Sequence, residues 1–299
     1  MTTIFVPASI GNVGPGFDVL GLAVAGLGDR FSAERAKNAS VTTTGRDAAL
    51  VPTDPDKNCA SIAARALLRA MQVDGDVSIS IHKELPLSGG LGGSAASSVG
   101  GALAAAAAYG LAPPQDVILI AALEGEAAVA GRHLDNIAPS LCGGLSLVLS
   151  VEPPRVVTLP VAAHYRVALV TPALRLETKT ARGVLPREWP TAQWTAQMAH
   201  TTALAHALGR GDDALVREAL HDAFAEPARA SLVPGFTEAK RAALAAGALG
   251  VSISGAGPTV FALCADEASA HAAGAAMQRA MAPATLHVGA VEHKGAHVE

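Results

Sequence analysis

A run of glycine and serine residues at positions 86–98 is the first feature of this sequence that could do chemistry. It reads PLSGGLGGSAASS, with four glycines, Gly89, Gly90, Gly92 and Gly93, within five residues. Glycine lets a chain turn sharply and lets its backbone approach another molecule closely. An alanine-rich segment follows, which we expect to be helical, and a helix N-terminus offers free N–H donors and a positive dipole end. The run therefore predicts a phosphate-binding loop, and we take a nucleoside triphosphate as its ligand.

The surrounding residues exclude the common nucleotide-binding motifs. A Walker A motif needs a lysine after its last glycine, and no lysine occurs between Glu84 and Arg132. A dinucleotide-binding fingerprint needs a glycine where Ala95 stands. Protein-kinase signatures are absent too, because the HLDN segment at His133 lacks the arginine and the chain has no DFG. The serine-rich start of the predicted helix offers hydroxyls instead of a lysine, and a hydroxyl can ligate Mg²⁺ when a carboxylate comes from elsewhere.

The loop should lie between a strand and a helix. Residues 77–81 alternate apolar and polar side chains, which predicts a half-buried strand leading into the loop. The alanine-rich segment predicts a helix over residues 94–109, and a second helix is expected over residues 117–130. The second helix carries Glu124 and Glu126, the carboxylates at hand for a Mg²⁺ site.

The rest of the chain predicts an α+β protein with more than one domain. Residues 4–8 are a strand candidate, whereas residues 9–24, 132–140 and 226–236 are predicted as glycine-rich or polar loops. Two prolines in residues 152–155 indicate a domain boundary. Strands and helices alternate in the second half, and no internal repeat is visible.

Composition narrows the class of protein. A length of 299 residues fits about two domains, and a net charge of −4 provides no basic field for nucleic acid or an anionic membrane surface. The longest weakly apolar run, residues 93–110, consists of small residues, so no membrane span is predicted. The N-terminus lacks the features of a signal peptide, which predicts a cytoplasmic protein. Cys59, Cys142 and Cys264 are widely separated and predict buried thiols rather than disulfides or a zinc site.

Five segments, in order, resemble the GHMP kinases and among them the homoserine kinases. Three are glycine-containing motifs, PASIGNVGPGFDVLGLAV, PLSGGLGGSAASS and GVSISGAGPTVFAL, and two are linking segments, HLDNIAPSLCGG and EPARASLVPGF. The resemblance covers essentially the whole chain. It implies a two-domain α+β kinase, with an N-terminal domain similar to the second domain of ribosomal protein S5 at residues 1–155 and a ferredoxin-like domain at residues 156–299. The active site would lie between them.

The resemblance also implies an activity. A kinase of this branch transfers the γ-phosphate of ATP, with Mg²⁺, to the side-chain hydroxyl of L-homoserine in threonine biosynthesis, and a homodimer is implied. Two alternatives remain: another small-molecule kinase of the same fold, of the mevalonate or sugar type, and a nucleotide-binding protein without catalytic activity. A neutral sugar would not need a carboxylate site, and mevalonate would not need an acidic group for an ammonium.

The resemblance assigns the nucleotide and metal to specific positions. Ser94 matches the Mg²⁺ ligand of the loop and Glu126 its acidic partner, whereas Glu124 lies on a different helix face and is assigned a structural or supporting role. Gly93 departs from the usual serine, so a backbone N–H would have to make that contact. The nucleotide-binding residues carried over are Asn58, Pro86, Ser88, Gly89, Gly90, Leu91, Gly92, Gly93, Ser94, Ala95, Ser97 and Gly257.

The amino-acid substrate is assigned to a second group of positions. Arg182 and Arg229 match the arginines that bind the carboxylate, a task suited to guanidinium groups, although each alone would be typical of a surface salt bridge. Asp18 matches the residue that pairs with the ammonium, and Asn12 and His133 would orient the substrate.

Asn136 stands where mevalonate kinase-like relatives place an aspartate. An amide cannot accept a proton as a base. We therefore expect catalysis by positioning and by charge stabilisation, with the hydroxyl proton passing to the phosphate, and Ser94, Glu126 and Asn136 as the catalytic residues. Asp135, one residue away, is the rival base.

Overall fold

The computed structural model describes residues 2–299, which form two β-sheets with helices packed on each. The first part of the chain contains β1 (Ile4–Gly11), β2 (Leu20–Ala36), β3 (Ser40–Gly45), α1 (Cys59–Ala70), β4 (Asp76–Lys83), α2 (Gly93–Tyr109), α3 (Gln115–Ala127), α4 (Ile137–Cys142), β5 (Leu145–Ser150) and β6 (Arg155–Leu159). The second part contains β7 (Arg166–Pro172), α5 (Thr178–Gly183), α6 (Thr191–Arg210), α7 (Asp213–Ala219), α8 (Ala225–Arg229), α9 (Phe236–Ala245), β8 (Gly250–Ile253), β9 (Val260–Cys264), α10 (Glu267–Ala280), β10 (Ala284–Ala290) and β11 (His297–Val298).

The first sheet has seven strands in a path β11-β1-β2-β4-β3, with β5 paired to β2 and β6 paired to β5. Helices α1, α2 and α3 pack on one another, and α1 and α2 also pack on this sheet. Two glycines permit that packing, because a Cβ atom at Gly100 would overlap the ring of Phe31 and one at Gly101 would overlap the backbone of Ala60. The glycines that weaken α2 as an isolated helix thus allow it to approach its neighbours closely.

The second sheet has four antiparallel strands in the order β10-β7-β9-β8. Helices α5 to α9 connect β7 to β8, a tight turn joins β8 to β9, and α10 connects β9 to β10. This is the β-α-β-β-α-β connectivity of a ferredoxin-like domain, as the family resemblance implies. A separate apolar core lies between this sheet and helices α9 and α10.

Three segments differ from their sequence-based description. The predicted glycine-rich loop over residues 9–24 is partly sheet, since β1 extends to Gly11 and the long strand β2 begins at Leu20. The polar turn over residues 132–140 contains the start of α4, and the loop over residues 226–236 contains most of α8. In α4 and α8 a proline lies near the helix start, where the missing N–H costs little.

The division at residue 155 stays a prediction. Strand β6, which begins at Arg155, still belongs to the first sheet, and β11 returns to pair with β1. The chain therefore enters the second sheet after residue 159 and leaves it again before its last residues. Within the described part of the chain no helix has the length and apolar character needed to span a bilayer.

Candidate active site

A cleft of about 410 Å³ brings most of the predicted site residues together. It is lined by residues of the first sheet's loops, by α2 and by the turn between β8 and β9. The predicted residues that line it are Asn12, Asp18, Asn58, Pro86, Ser88, Gly89, Gly90, Gly92, Gly93, Ser94, Ser97, Glu126, His133, Asn136, Arg182, Arg229 and Gly257. Two predicted nucleotide-binding residues, Leu91 and Ala95, do not line the cleft in the described structure, because their side chains are buried in the core.

The glycine loop owes its shape to left-handed backbone conformations and to the opposite half of the molecule. The φ angles of Ser88, Gly90 and Gly92 are 53°, 79° and 67°. The hydroxyl of Ser254 donates to the Gly90 carbonyl at 2.6 Å, and the hydroxyl of Thr259 donates to the Gly89 carbonyl at 2.5 Å. The turn between β8 and β9 therefore holds the loop in place.

The N-terminus of α2 is free to bind an anion. Gly92, the residue before the helix, has no side chain that could cap it, and the first turn carries no acidic residue. The Ala96 N–H donates to the Gly92 carbonyl at 2.8 Å, so the N–H groups of residues 93–95 precede the helical hydrogen-bond ladder. These donors and the helix dipole suit a phosphate group.

Ser94 and Glu126 face each other across α2 and α3. The Ser94 hydroxyl donates to Oε1 of Glu126 at 2.9 Å, whereas Oε2 of Glu126 is buried without a hydrogen-bond partner among the described residues. Burial raises the pKa of Glu126 to about 8, against the lowering effect of the Ser94 hydrogen bond. Burying a carboxylate oxygen without a hydrogen-bond partner costs free energy, and a bound cation or a proton would offset that cost.

These two residues fit one side of a Mg²⁺ site. No group of three or more His, Cys, Asp and Glu side chains that could hold a metal occurs in residues 2–299. Mg²⁺ in phosphoryl-transfer sites is commonly held by one or two protein oxygens together with substrate phosphates and water. A hydroxyl and a carboxylate beside a phosphate loop are therefore a sufficient protein contribution.

The residues assigned to the amino acid form a charged cluster. Nη2 of Arg182 donates to Oδ1 of Asp18 at 2.5 Å and to Nδ1 of His133 at 3.2 Å. Because a guanidinium can only donate, that imidazole nitrogen is unprotonated. Burial and the charge of Arg182 both lower the pKa of His133, which agrees with a neutral ring.

The second arginine of this cluster is almost fully buried. Arg229 is 2% exposed, and its guanidinium donates to the carbonyls of Gly255 at 2.8 Å and Ala181 at 3.1 Å. Nε of Arg182 is buried and has no acceptor within the described chain. The pair therefore presents donors that a carboxylate could accept from.

Asn12, Asp135 and Asn136 lie between the charged cluster and the glycine loop. The Asn12 N–H donates to Oδ2 of Asp135 at 3.1 Å, and the Asn12 amide donates to the Gly255 carbonyl at 2.9 Å. Oδ1 of Asn136 accepts from the Ser9 hydroxyl at 3.0 Å. The NH₂ group is then what Asn136 can offer a ligand, so it acts as a donor.

Two assigned nucleotide residues have structural contacts of their own. Oδ1 of Asn58 caps α1 by accepting from the N–H groups of Ala60 at 3.0 Å and Ser61 at 3.2 Å, and its NH₂ donates to the Pro52 carbonyl at 2.7 Å. Gly257 has a φ of +87°, which a residue with a side chain rarely adopts. Both line the cleft, and their contact with nucleotide stays a prediction.

Lys83 was missed as a candidate because it precedes the loop. Its ammonium pairs with Asp29 and donates to the Gly93 carbonyl and the Ser97 hydroxyl, both at 3.2 Å. All three of its donors are used, so Lys83 supports the first turn of α2 from beneath. The alternation of inward apolar residues in β4 continues to position 83, and that pattern could have placed this lysine on the buried face.

Comparison with known proteins agrees with this architecture. The family described as "GHMP kinases N terminal domain" matches residues 58–144, and "GHMP kinases C terminal" matches residues 204–283. A homoserine kinase of Chlorobaculum tepidum is 39% identical over 291 residues, which cover 93% of this chain and 90% of the relative. The chain belongs to the homoserine kinase family of the GHMP kinases.

Solved structures give the same assignment. The crystal structure of a homoserine kinase from Cytophaga hutchinsonii superposes with a TM-score of 0.95 at 37% identity, and the match covers 100% of this chain and 97% of that one. A mevalonate kinase of L. major, at 15% identity and a TM-score of 0.74 over 96% of this chain and 95% of that one, shares the fold only. The predicted family and its two-domain α+β fold are confirmed.

Proposed function

We propose that this protein transfers the γ-phosphate of ATP to the side-chain hydroxyl of L-homoserine and so forms O-phospho-L-homoserine, a step of threonine biosynthesis. The observation that carries the proposal is the placement of Arg182, Arg229 and Asp18 in the same cleft as the glycine loop. L-Homoserine carries a carboxylate, an ammonium and a hydroxyl, and this cluster offers guanidinium donors for the first and a carboxylate for the second. The relatives that share the fold at 37–39% identity are homoserine kinases.

Within the charged cluster, Asp18 and Arg182 neutralise each other. Asp18 pairs with Arg182 at 2.5 Å, so each already has a partner of opposite charge. A zwitterionic substrate can replace both partners at once, because it brings one charge of each sign. A neutral sugar would break the Asp18–Arg182 pair without replacing it, and this disfavours a sugar as the acceptor.

The nucleotide would bind at the glycine loop, with its phosphates on the free N–H groups of residues 93–95. Ser94 and Glu126 would hold Mg²⁺, which when bound offsets the negative charge that develops on the transferred phosphoryl group. Asn58 and Gly257 would contact the nucleotide from either side of the loop. ATP use follows from the kinase family, and the Mg²⁺ ligands are part of this proposal.

Catalysis would rest on positioning. Asn12 and His133 would orient the amino acid, and the NH₂ group of Asn136 would donate to an oxygen near the reacting centre. None of these groups can take the hydroxyl proton: Asn12 and Asn136 are amides, and Nδ1 of His133 already accepts from Arg182. In phosphoryl transfer the transition state is loose, so the proton can pass to the phosphoryl oxygens without a strong base.

An ADP-release assay with four acceptor conditions tests the proposal. L-Homoserine should support turnover, whereas mevalonate, galactose and a sample without acceptor should give only background. Turnover with mevalonate or galactose and not with homoserine would refute the proposal and indicate a mevalonate or sugar kinase of the same fold.

The variant Arg182→Gln should raise KM for homoserine by about tenfold or more, since it removes a charge-assisted pair worth about 1.5–3 kcal/mol. Sedimentation of the same protein would test the homodimer that the family suggests.

A further inference from the structure

The ring of Phe17 lies beneath both guanidinium groups of the charged cluster. The Cζ atoms of Arg182 and Arg229 are 5.3 Å and 5.4 Å from the centroid of this ring. A guanidinium within about 6 Å of an aromatic centroid is attracted by the negative face of the ring. The two arginines come from α5 and α8, so a single side chain between β1 and β2 contacts cations from two separate helices.

The contacts with the Phe17 ring stabilise two guanidinium groups that repel each other, one of which is buried. Arg229 is 2% exposed, its Nε and Nη1 donate to carbonyl groups, and burial together with the Arg182 charge lowers its pKa. The charges of Asp18, Asp222 and Asp135 act on the Arg229 pKa in the opposite direction, but among residues 2–299 none of these carboxylates forms an ion pair with Arg229, since Asp18 pairs with Arg182. A second carboxylate beside Arg229 would occupy the donors that the substrate needs. An aromatic ring attracts the cations without using those donors.

The position of the Phe17 ring is itself fixed. The ring of Phe224 meets it at 5.1 Å in an edge-on arrangement, and the ring of Trp189 packs against Phe224 at 4.9 Å. At the next residue of the chain, the N–H of Asp18 donates to Oδ1 of Asn12 at 3.0 Å. Of the described residues Phe17 is not one that lines the cleft, whereas both arginines line it. The contacts with Arg182 and Arg229 therefore link Phe17 to the cleft.

We propose that Phe17 is a positioning residue that holds Arg182 and Arg229 together as one carboxylate clamp, and that its aromatic ring sets the affinity of the site for the carboxylate of the acceptor. The inference rests on the proposed function and adds a determinant of substrate affinity outside the cleft wall.

Replacement of the ring by an aliphatic side chain tests the inference. Phe17→Leu should raise KM for L-homoserine about tenfold, because it removes one cation–π contact with the buried Arg229 and a second with the half-buried Arg182. KM for ATP should not change, kcat should change by less than about twofold, and Phe17→Tyr should restore the wild-type KM because it keeps the aromatic face. Phe17→Met is a second non-aromatic variant if the leucine variant does not fold.

A matched control and a second acceptor separate positioning from a general loss of structure. Phe236→Leu removes a buried ring that contacts Lys240 at 5.9 Å in the second core, and it should leave KM for homoserine unchanged. The acceptor 3-aminopropan-1-ol is homoserine without its carboxylate, so kcat/KM for this compound should differ by less than about twofold between wild type and Phe17→Leu.

Each other outcome overturns the inference. An unchanged KM for homoserine in Phe17→Leu, or an equal loss with both acceptors, would show that the ring does not act through the carboxylate clamp. A wild-type protein without homoserine-dependent ADP release would refute the proposed function and this inference with it. The first two results would leave the proposed function intact.

Discussion

Substitution of Asp135 distinguishes the two ways in which the acceptor hydroxyl could lose its proton. The carboxyl is 4% exposed, and burial, followed by the charge of Asp18, raises its pKa to about 7. A carboxyl that titrates near neutral pH is well suited to general-base catalysis, which contributes about 10²–10⁴-fold to a rate. If Asp135 is not the base, Asp135→Asn keeps the size and the acceptor oxygen for the Asn12 N–H, and kcat should fall by less than about tenfold.

The same raised pKa makes folding stability depend on pH. In the unfolded chain this carboxyl ionises near 3.8, and in the folded chain near 7, so the folded state holds the proton more tightly between these values. Stability should therefore fall as pH rises from about 4 to about 7 and then level off. At about 1.4 kcal/mol per pKa unit the penalty at pH 8 is about 4 kcal/mol, which Asp135→Asn should remove. Below pH 4 the two proteins should be equally stable.

Two measurements decide the matter. Single-turnover kinetics at saturating homoserine and ATP give the chemical step, and urea unfolding between pH 4 and pH 8 gives the free energy of unfolding. Asp116→Asn is the control, because Asp116 is an exposed aspartate at the start of α3. A loss of more than about a hundredfold in the chemical step, in a variant that is as stable as expected, would make Asp135 the base and refute catalysis by positioning. A stability gain that does not shrink toward low pH would refute the burial argument.

The other predictions concern the phosphate end of the cleft. Glu126→Gln and Ser94→Ala should each lower kcat by about a hundredfold or more and raise the Mg²⁺ concentration needed for half-maximal activity, which a Mg²⁺ titration of turnover would show. Gly93→Ser should fold normally and gain up to about 1 kcal/mol in urea unfolding, since a Cβ atom there lies 3.6 Å or more from its neighbours and the position is helical; a loss of stability would contradict this. Lys83→Met should lose about 3–5 kcal/mol by leaving the buried Asp29 carboxylate unpaired, and Asp29→Asn in the same chain should recover part of the loss.

Periodicity was sufficient to predict most of the elements near the glycine loop. The alternating pattern at residues 77–81 lies within β4, and the helix predicted from residue 94 begins at Gly93. Strand β2 was hidden because its first half, LGLAVAGLGD, has glycines at positions that usually mark a loop. Those glycines are needed for close approach, since a Cβ atom at Gly21 would overlap the backbone of Asp135. Tertiary packing therefore overrides local composition there.

The site could not have been assembled from spacing alone. The partners Asp18 and Arg182 are 164 residues apart, and only the resemblance to a family suggested that they share a substrate. The pair formed by Lys83 and Asp29 crosses between β2 and β4, so no local pattern connects the two residues. The role of Phe17 depends on helices α5 and α8 meeting over one ring, which is a property of the folded chain.

The hydrogen bonds from Ser254 and Thr259 to the glycine loop connect the second sheet to a loop of the first, so the proposed nucleotide site depends on both sheets. Neither half of the chain expressed alone should retain nucleotide, because the loop would lose the partners that hold its carbonyls. Binding should also protect amides in both sheets from hydrogen exchange together. At a ligand concentration a hundredfold above Kd, binding adds about 2.7 kcal/mol to the free energy of unfolding, and that gain should be shared across the domain junction. Bound nucleotide would thus stabilise the association of the two halves of the chain as well as donate the phosphate.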